Sequence, residues 1–291
     1  MNYYLIGGDF RNFELAKMLA KEDNMVYTFG LEMAFQDSCI NENIMQCERI
    51  SDGLEKIDVV ITALPFSRDE INVNMPLSIK RLKIEDFIKE FERCLIFTGN
   101  ISKEIERRFL DKNIKIVDIM KFEEFAILNT VSTAEATISI IIENTKITLQ
   151  NSKCLIMGFG RIGKILAKKL QDLSANVECV ATNNIETAWG KAYGYNMTTF
   201  GDIKYRNKNL KDYDIIINTI PKVILKREFE NINNDTLVID LASKPYGIDR
   251  DMIKGKRFNF IEALGLPGKT APITSAKNIK KIVHDVLKDK C

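Results

Sequence analysis

The chain has 291 residues, which exceeds the usual size of one hydrophobic core, so two domains are expected. Its 42 basic and 40 acidic residues leave a net charge of only +2, which argues against a nucleic-acid or membrane-surface role. The sequence opens with no basic leader, and no apolar run reaches the roughly 20 residues that a membrane-spanning helix needs. We therefore expect a cytoplasmic protein that contacts neither nucleic acid nor membrane.

The cysteines are expected to be reduced thiols of the protein core, because they form no CxxC pair and most lie in apolar, strand-like contexts. A catalytic nucleophile is the alternative. The six are Cys39, Cys47, Cys94, Cys154, Cys179 and Cys291. No metal site is expected.

Short apolar runs alternate with helical patterns, as a doubly wound parallel sheet requires. The first half predicts strands near residues 3–6, 25–29, 59–64, 95–97 and 114–117, and a loop leading to a helix over residues 69–91. The second half predicts strands near residues 154–157, 177–180, 214–219, 236–240 and 258–261. The pattern predicts an α/β fold of two doubly wound domains, an N-terminal flavodoxin-like substrate domain and a C-terminal Rossmann dinucleotide-binding domain.

The domain boundaries follow from a change of pattern after residue 130. Residues 1–130 are expected to form the substrate domain, to which a helix of residues 275–291 returns. Capping-type residues followed by apolar residues at helical spacing predict a connecting helix over residues 131–150. Residues 151–274 are expected to form the dinucleotide-binding domain.

The strongest local signal is a glycine-rich turn between a buried strand and an amphipathic helix. Gly158 permits a tight turn, Gly160 lets the backbone approach a pyrophosphate, and Gly163 allows the helix to pack closely on the strand. The helix N-terminus would then face the anion. The expected cofactor-binding residues of this loop are Gly158, Phe159, Gly160, Arg161, Ile162 and Gly163. A purely structural glycine-rich turn is the alternative.

The turn after the second strand of this domain bears on the choice of cofactor. NAD sites usually carry an acidic residue there to hold the ribose hydroxyls, whereas this chain has Thr182, Asn183 and Asn184. Neutral side chains would not repel a 2′-phosphate, so we expect NADP, with NAD possible because no arginine follows to clamp the phosphate. Alternatively, the three residues simply form a polar loop.

Other strand-end turns supply candidates for substrate and nicotinamide contacts, since open parallel sheets bind ligands at the carboxyl ends of their strands. Arg11 is a candidate for a substrate carboxylate, or else caps its own helix and pairs with Asp9. Lys244 is a second candidate carboxylate partner, or else an ordinary solvated lysine. Asp240 is expected to be a turn or capping residue rather than a base. Thr219, Pro221 and Ser243 are expected to border the nicotinamide.

The single histidine, His284, lies late in an amphipathic helix and is expected to be structural or on the surface. The imidazole acid or base that hydroxyacid dehydrogenases commonly use is therefore missing. This counts against a 2-hydroxy acid dehydrogenase, which the two-domain layout alone would suggest.

A series of motifs that spans nearly the full chain resembles the family of the dipicolinate synthase A subunit. The motifs are Ile6-Gly-Gly-Asp-Phe-Arg11, Phe97-Thr-Gly99, the run from Glu124 through Asn129 and Thr133 to Glu135, the glycine loop of residues 158–163, Ile217-Asn-Thr-Ile-Pro221, Asp240-Leu-Ala-Ser-Lys-Pro245, and Gly265-Leu-Pro-Gly268 with Ala271-Pro272. The resemblance implies a fold like that of formate and glycerate dehydrogenases. It also implies a sporulation enzyme of the mother-cell cytoplasm that oxidises dihydrodipicolinate to dipicolinate together with the flavoprotein-like B subunit of dipicolinate synthase.

With such a substrate, the site must orient two carboxylates against the cofactor. Arg11 and Lys244 are the expected carboxylate partners, with Ser67 and Ser243 as neutral donors. Glu124 could accept the ring proton, or could cap the connecting helix and pair with nearby lysines. Asn129 could orient substrate or end the preceding helix. A noncatalytic NADP-binding regulatory or scaffold protein remains the alternative function, and a homo-oligomer is possible.

Overall fold

The computed structural model describes the chain except for residues 37–40, 93, 206–208, 227, 230–231, 255–257 and 290–291. The chain forms two compact units. The first unit combines Met1–Asn129 with Pro267–Cys291, and the second comprises Thr130–Leu266.

The first unit contains a parallel sheet of six described strands in the order β3-β2-β1-β4-β5-β6. The strands are β1 (Asn2–Ile6), β2 (Met25–Phe29), β3 (Ile44–Gln46), β4 (Val59–Thr62), β5 (Leu95–Thr98) and β6 (Lys115–Asp118). The helices are α1 (Phe10–Ala20), α2 (Glu32–Phe35), α3 (Ile84–Glu90) and α4 (Lys103–Asp111). The long α5 (Glu123–Asn144) begins in this unit and belongs to the second from Thr130 onward.

The two faces of this sheet bury alternate strand residues, as the two-residue period of a strand requires. Tyr3 and Leu5 lie in one core layer, with α1 and the C-terminal helix. Tyr4 and Ile6 lie in the opposite layer, with α3 and α4. Burial on both faces explains why these strands read as continuous apolar runs in the sequence.

The second unit repeats the arrangement, with strand order β12-β11-β10-β7-β8-β9. Its strands are β7 (Lys153–Met157), β8 (Asn176–Val180), β9 (Asn196–Thr198), β10 (Ile215–Asn218), β11 (Leu237–Asp240) and β12 (Asn259–Glu262). Its helices are α6 (Arg161–Asp172), α7 (Asn184–Ala192), α8 (Phe200–Tyr205) and α9 (Arg250–Ile253). Two further helices are α10 (Leu266–Thr270), which starts at the end of this unit, and α11 (Pro272–Lys288), which belongs to the first.

Both sheets therefore confirm the predicted α/β class with doubly wound parallel strands. With β3 included, the first unit has the same order as the second, 3-2-1-4-5-6 by position in the unit, which is the Rossmann order. The flavodoxin-like assignment rested on five predicted strands and did not include the edge strand β3. The edge strands β3 and its counterpart β9 were not predicted from the sequence. Each is an edge strand of three residues, too short to produce a periodic pattern.

The connecting helix begins earlier than predicted. α5 starts at Glu123, so the capping-type residues at 130–133 lie inside it rather than at its start. The Thr137 hydroxyl donates to the carbonyl of Thr133, four residues back, which satisfies it within the helix. Of the described helices, α5 alone has the length and hydropathy of a membrane span. Its Ala134 and Ile141 belong to the core of the second unit, and a buried core helix has the same composition.

The C-terminal helix and the described cysteines contribute to the hydrophobic cores. α11 packs on α1, and its Ile279 and Val283 lie in the same core layer as the apolar side chains of α1. The four described cysteines are free thiols, three of them buried. Cys39 and Cys291 lie outside the described residues.

Candidate functional site

The three glycines of the loop after β7 have different steric surroundings. Gly158 has φ +107°, and a Cβ there would lie 2.2 Å from the Thr219 hydroxyl. A Cβ at Gly163 would lie 2.0 Å from the carbonyl oxygen of Gly158, so this glycine lets α6 pack against the loop. A Cβ at Gly160 would have no heavy atom within 4 Å. The first and third glycines are therefore required by the fold, and the second borders open space.

The open space lies at the N-terminus of α6. Gly160 is the N-cap of this 12-residue helix and offers no side chain to its first N–H groups. A helix N-terminus carries a partial positive charge and donors that suit a phosphate. The loop therefore fits a dinucleotide pyrophosphate on steric and electrostatic grounds.

The other loop residues contribute in different ways. Phe159 is fully buried and packs edge-on against the Tyr195 ring, with centroids 5.6 Å apart, so only its backbone is available to a ligand. Ile162 is half-buried against the core of this unit. Arg161 is exposed in the first turn of α6.

The turn after β8 is a helix start. The Asn183 side chain accepts a 2.9 Å hydrogen bond from the backbone N–H of Glu186 and so caps α7. Thr182 and Asn184 are exposed. Capping occupies the Asn183 carbonyl oxygen, and Thr182 is the residue of this turn that lines a cleft.

That cleft has a volume of about 590 Å³. It is lined by Thr182, Phe200, Lys204, Ile220, Lys222, Val223 and Ile224. Its walls thus come from the turn after β8, from α8 and from the loop after β10, and they combine apolar side chains with two lysines. Neither lysine was predicted as a site residue, since neither lies in a recognisable sequence motif.

The ends of β10 and β11 are joined by a buried polar pair. The Asn218 side-chain amide donates to Asp240 at 2.8 Å, and both residues are buried. The Asp240 carboxylate also accepts from the backbone N–H groups of Ala242, Gly247 and Ile248 at 3.1–3.2 Å. With four donors around it, Asp240 organises the turn, as the sequence indicated.

The turns after β10 and β11 carry the other candidates, at the carboxyl ends of these strands. Ser243 and Lys244 are exposed after β11, and Pro221 is exposed after β10. The Thr219 hydroxyl, by contrast, donates to the carbonyl of Met157 at 3.1 Å and is half-buried. Thr219 therefore ties the loop after β10 to the end of β7.

In the first unit, Arg11 is buried and bound to Asp9. Its Nε and Nη2 donate to the two Asp9 carboxylate oxygens at 2.8 Å each, and Nη2 also donates to the carbonyl of Leu64. A Cβ at Gly268 would lie 2.2 Å from Asp9, so a glycine is needed there. The pairing that the sequence left open is observed, and it engages Nε and Nη2 rather than Nη1.

Ser67 takes part in a local loop network. Its hydroxyl donates to the Asp69 carboxylate at 3.2 Å and accepts from the Glu70 backbone N–H at 3.0 Å. The pKa of Asp69 is lowered, chiefly by the backbone N–H of Asn72. This network holds the exposed loop that follows the strand end.

The candidates on α5 are placed differently from each other. Glu124 is exposed and forms an ion pair with Lys281 of α11, which matches the alternative that it pairs with a nearby lysine. Asn129 lies in the interior of the helix, so the alternative that it ends a helix is wrong. His284 lies on α11, 3.9 Å from Glu22, and is partly exposed.

Comparison with known proteins identifies the relatives of this chain. Residues 2–120 match the family model described as the N-terminal domain of the dipicolinate synthase A subunit. The dipicolinate synthase A subunit of Bacillus subtilis (strain 168) is 27% identical over 290 residues, which covers 97% of this chain and 94% of that protein. The chain is related to the dipicolinate synthase A subunit.

The solved structures agree with this relationship. The dipicolinate synthase A chain from Bacillus subtilis superposes with a TM-score of 0.82 at 27% identity, covering 99% of this chain and 96% of that one. The dipicolinate synthase A subunit from Bacillus halodurans gives 0.84 at 26% identity, covering 98% and 97%. A transhydrogenase from Sinorhizobium meliloti shares the fold, with a TM-score of 0.66 at 11% identity over 97% of this chain and 92% of that one.

Proposed function

We propose that this chain oxidises dihydrodipicolinate to dipicolinate with NADP, as the A subunit of a two-subunit dipicolinate synthase in the mother-cell cytoplasm of a sporulating bacterium. The observation that carries the proposal is the open approach to the α6 N-terminus at Gly160, in a chain related to the dipicolinate synthase A subunit along its length. The open helix N-terminus adds to the family relationship, because relatives of an enzyme can lose a cofactor site.

The second unit would hold the cofactor through its backbone. The N–H groups at the start of α6 would bind the pyrophosphate, and the absent side chain of Gly160 leaves the room for it. Thr219 would keep the loop in place through its hydrogen bond to the carbonyl of Met157, and Gly158 leaves the room that the Thr219 side chain needs. When bound, the dinucleotide would accept the hydride that leaves the dihydropyridine ring, while a proton is released.

Substrate recognition requires cations for two carboxylates. We propose that Lys244, with Ser243 beside it, binds one carboxylate, because both are exposed at the carboxyl end of β11. For the other we propose Nη1 of Arg11, with Ser67 as a neutral donor once its hydroxyl turns from the Asp69 carboxylate to the substrate. Arg11 contributes less charge than the sequence suggested, since Asp9 already neutralises it.

The proton released with the hydride needs an acceptor. Asp240 is unsuited to this role because its carboxylate already accepts four hydrogen bonds inside the protein. Glu124 is the proposed acceptor among the side chains, provided that it separates from Lys281. Asn129, five residues further along α5, is proposed to orient substrate. Solvent water can serve instead, because aromatisation of the ring supplies driving force.

Absorbance measurements test the proposal. Purified chain, freshly generated dihydrodipicolinate and NADP are mixed with and without the B subunit of dipicolinate synthase. Rising absorbance at 340 nm together with an aromatic pyridine spectrum is expected, and the two arms show whether the B subunit is required. Cofactor binding without turnover in either arm would contradict the enzymatic role and favour a noncatalytic NADP-binding protein.

A further inference from the structure

The cleft beside α8 lies where the adenosine half of a dinucleotide would be placed by the glycine loop. Thr182 follows β8 and Ile220 follows β10, so the cleft opens at the carboxyl ends of strands on the two sides of β7. A Cβ at Gly158 would lie 2.9 Å from Ile220, which shows that one wall of the cleft contacts the loop directly. The cleft therefore adjoins the glycine loop that leads into α6.

We propose that Lys204 and Lys222 bind the 2′-phosphate of NADP in this cleft and set the preference for NADP over NAD. The inference rests on the proposed dinucleotide-binding function of the second unit. It adds the specificity determinants that the turn after β8 lacks, since no arginine is present at residues 181–184.

The charge distribution around the cleft suits a dianion. Both lysines line the cleft and are exposed, and neither forms an ion pair among the residues that the structure describes. The acidic residue nearest to Lys204 in the sequence is Asp202. Its carboxylate accepts hydrogen bonds from the backbone N–H and the hydroxyl of Thr199, at 3.2 and 2.7 Å. Its carboxylate is thus engaged at the start of α8.

The remaining walls are consistent with the rest of an adenosine. Phe200, Val223 and Ile224 offer apolar surface, against which a purine ring can pack. Thr182 offers a neutral hydroxyl, where an NAD site would usually place a carboxylate. A carboxylate at that position would repel the 2′-phosphate, whereas Thr182 can donate to it.

Calorimetric titration of the whole chain with NADP and with NAD tests the inference. The variants are Lys204→Met, Lys222→Met and the double variant, which keep most of the side-chain length and remove charge. Lys191→Met is the control, because Lys191 is exposed but lies outside the cleft lining. Each cleft variant is expected to raise the Kd for NADP about tenfold and to leave the Kd for NAD unchanged, as befits the loss of a charged hydrogen bond.

A fragment probe isolates the phosphate itself. Adenosine 2′,5′-bisphosphate should bind the unaltered chain more tightly than adenosine 5′-monophosphate, by a margin that shrinks with added salt and vanishes in the double variant. Equal losses for NADP and NAD, or an unchanged preference in the double variant, would overturn the assignment while leaving dinucleotide binding intact. An unaltered chain that binds neither dinucleotide would instead contradict the proposed function, and this inference with it.

Discussion

The Asn218 amide and the Asp240 carboxylate are joined by a 2.8 Å hydrogen bond at the adjacent ends of β10 and β11. Asn218 also donates to the carbonyl of Ile220 at 3.0 Å. A Cβ at Gly247 would lie 1.8 Å from the Asn218 amide nitrogen, so the loop after β11 passes directly over this pair. One buried pair thus fixes the turns after both strands, from which the proposed nicotinamide and substrate contacts emerge.

Replacing Asp240 by Asn should destabilise the second unit. The charge that this substitution removes is buried, so no solvent-exposed charge changes. The new NH₂ group would face backbone donors, and we expect a loss of about 2–3 kcal/mol in the free energy of unfolding. Thermal unfolding measures it. Asp235→Asn, in an exposed turn, is the matched control and should leave the midpoint unchanged. A stable Asp240→Asn protein that has lost turnover would instead point to Asp240 as a base.

Replacing Gly160 by Asp should abolish NADP binding and leave the fold intact. The new side chain meets open space, so the structure tolerates it, but its carboxylate would occupy the place of the pyrophosphate. An increase of at least about a hundredfold in the Kd is expected from calorimetry. Gly160→Ala, the control, should fold normally and bind far better than the aspartate variant. Unchanged affinity in Gly160→Asp would remove the loop from cofactor binding.

Replacing Gly163 by Ala should destabilise the fold, whereas Gly160→Asp should leave the fold intact. The added methyl group would lie 2.0 Å from a backbone oxygen of Gly158, and backbone cannot move aside as a flexible side chain can. We expect a loss of at least about 2 kcal/mol in the free energy of unfolding, measured in urea. Gly160→Ala serves again as the comparison, since only the position of the methyl group differs. Equal stability of the two variants would contradict the close packing of α6 on the loop.

The sequence was sufficient to predict most of the fold because buried parallel strands produce long apolar runs. The strands beginning at Asn2 and Lys153 were located within one residue of their observed starts. β3 and β9 were missed, since three residues at a sheet edge have too little burial to form a pattern. The start of α5 was misplaced because capping-type residues also occur inside helices.

The site was less predictable, because burial and pairing are properties of the folded chain. The glycine spacing predicted the tight turn at Gly158 and the close packing at Gly163, and both are observed. For Arg11, however, the sequence could not decide between substrate and Asp9 as the partner of the guanidinium. The lysines at 204 and 222 are separated along the chain and meet only where α8 and the loop after β10 line one cleft.

Replacing Lys244 by Ala should raise the apparent KM for dihydrodipicolinate about tenfold, with little effect on cofactor affinity. The exposed ammonium group would no longer attract a substrate carboxylate, whereas the α6 N-terminus is untouched. Steady-state kinetics and NADP titration give the two quantities. Lys222→Met should show the converse pattern, a weaker NADP complex with an unchanged substrate KM at saturating cofactor. A Lys244→Ala enzyme with unaltered constants would make Lys244 an ordinary solvated lysine.

The buried thiols should be unreactive in the folded chain. Burial raises the pKa of Cys154 to about 11 and that of Cys179 to about 12, from a usual value of 9.0. Iodoacetamide at pH 8, followed by peptide mass spectrometry, should modify both only after denaturation, because the thiolate is the nucleophile.

The same pKa shifts give a pH dependence. Below pH 9 both thiols are protonated in the folded and unfolded states, so their contribution to stability is fully present. Above pH 9 the unfolded chain loses these protons first, which favours unfolding until the folded thiols ionise near pH 11 and 12. The thermal midpoint of the unaltered chain should therefore fall above pH 9, and a Cys154→Ala, Cys179→Ala double variant should fall less steeply. Parallel curves for the two proteins would contradict the raised pKa values.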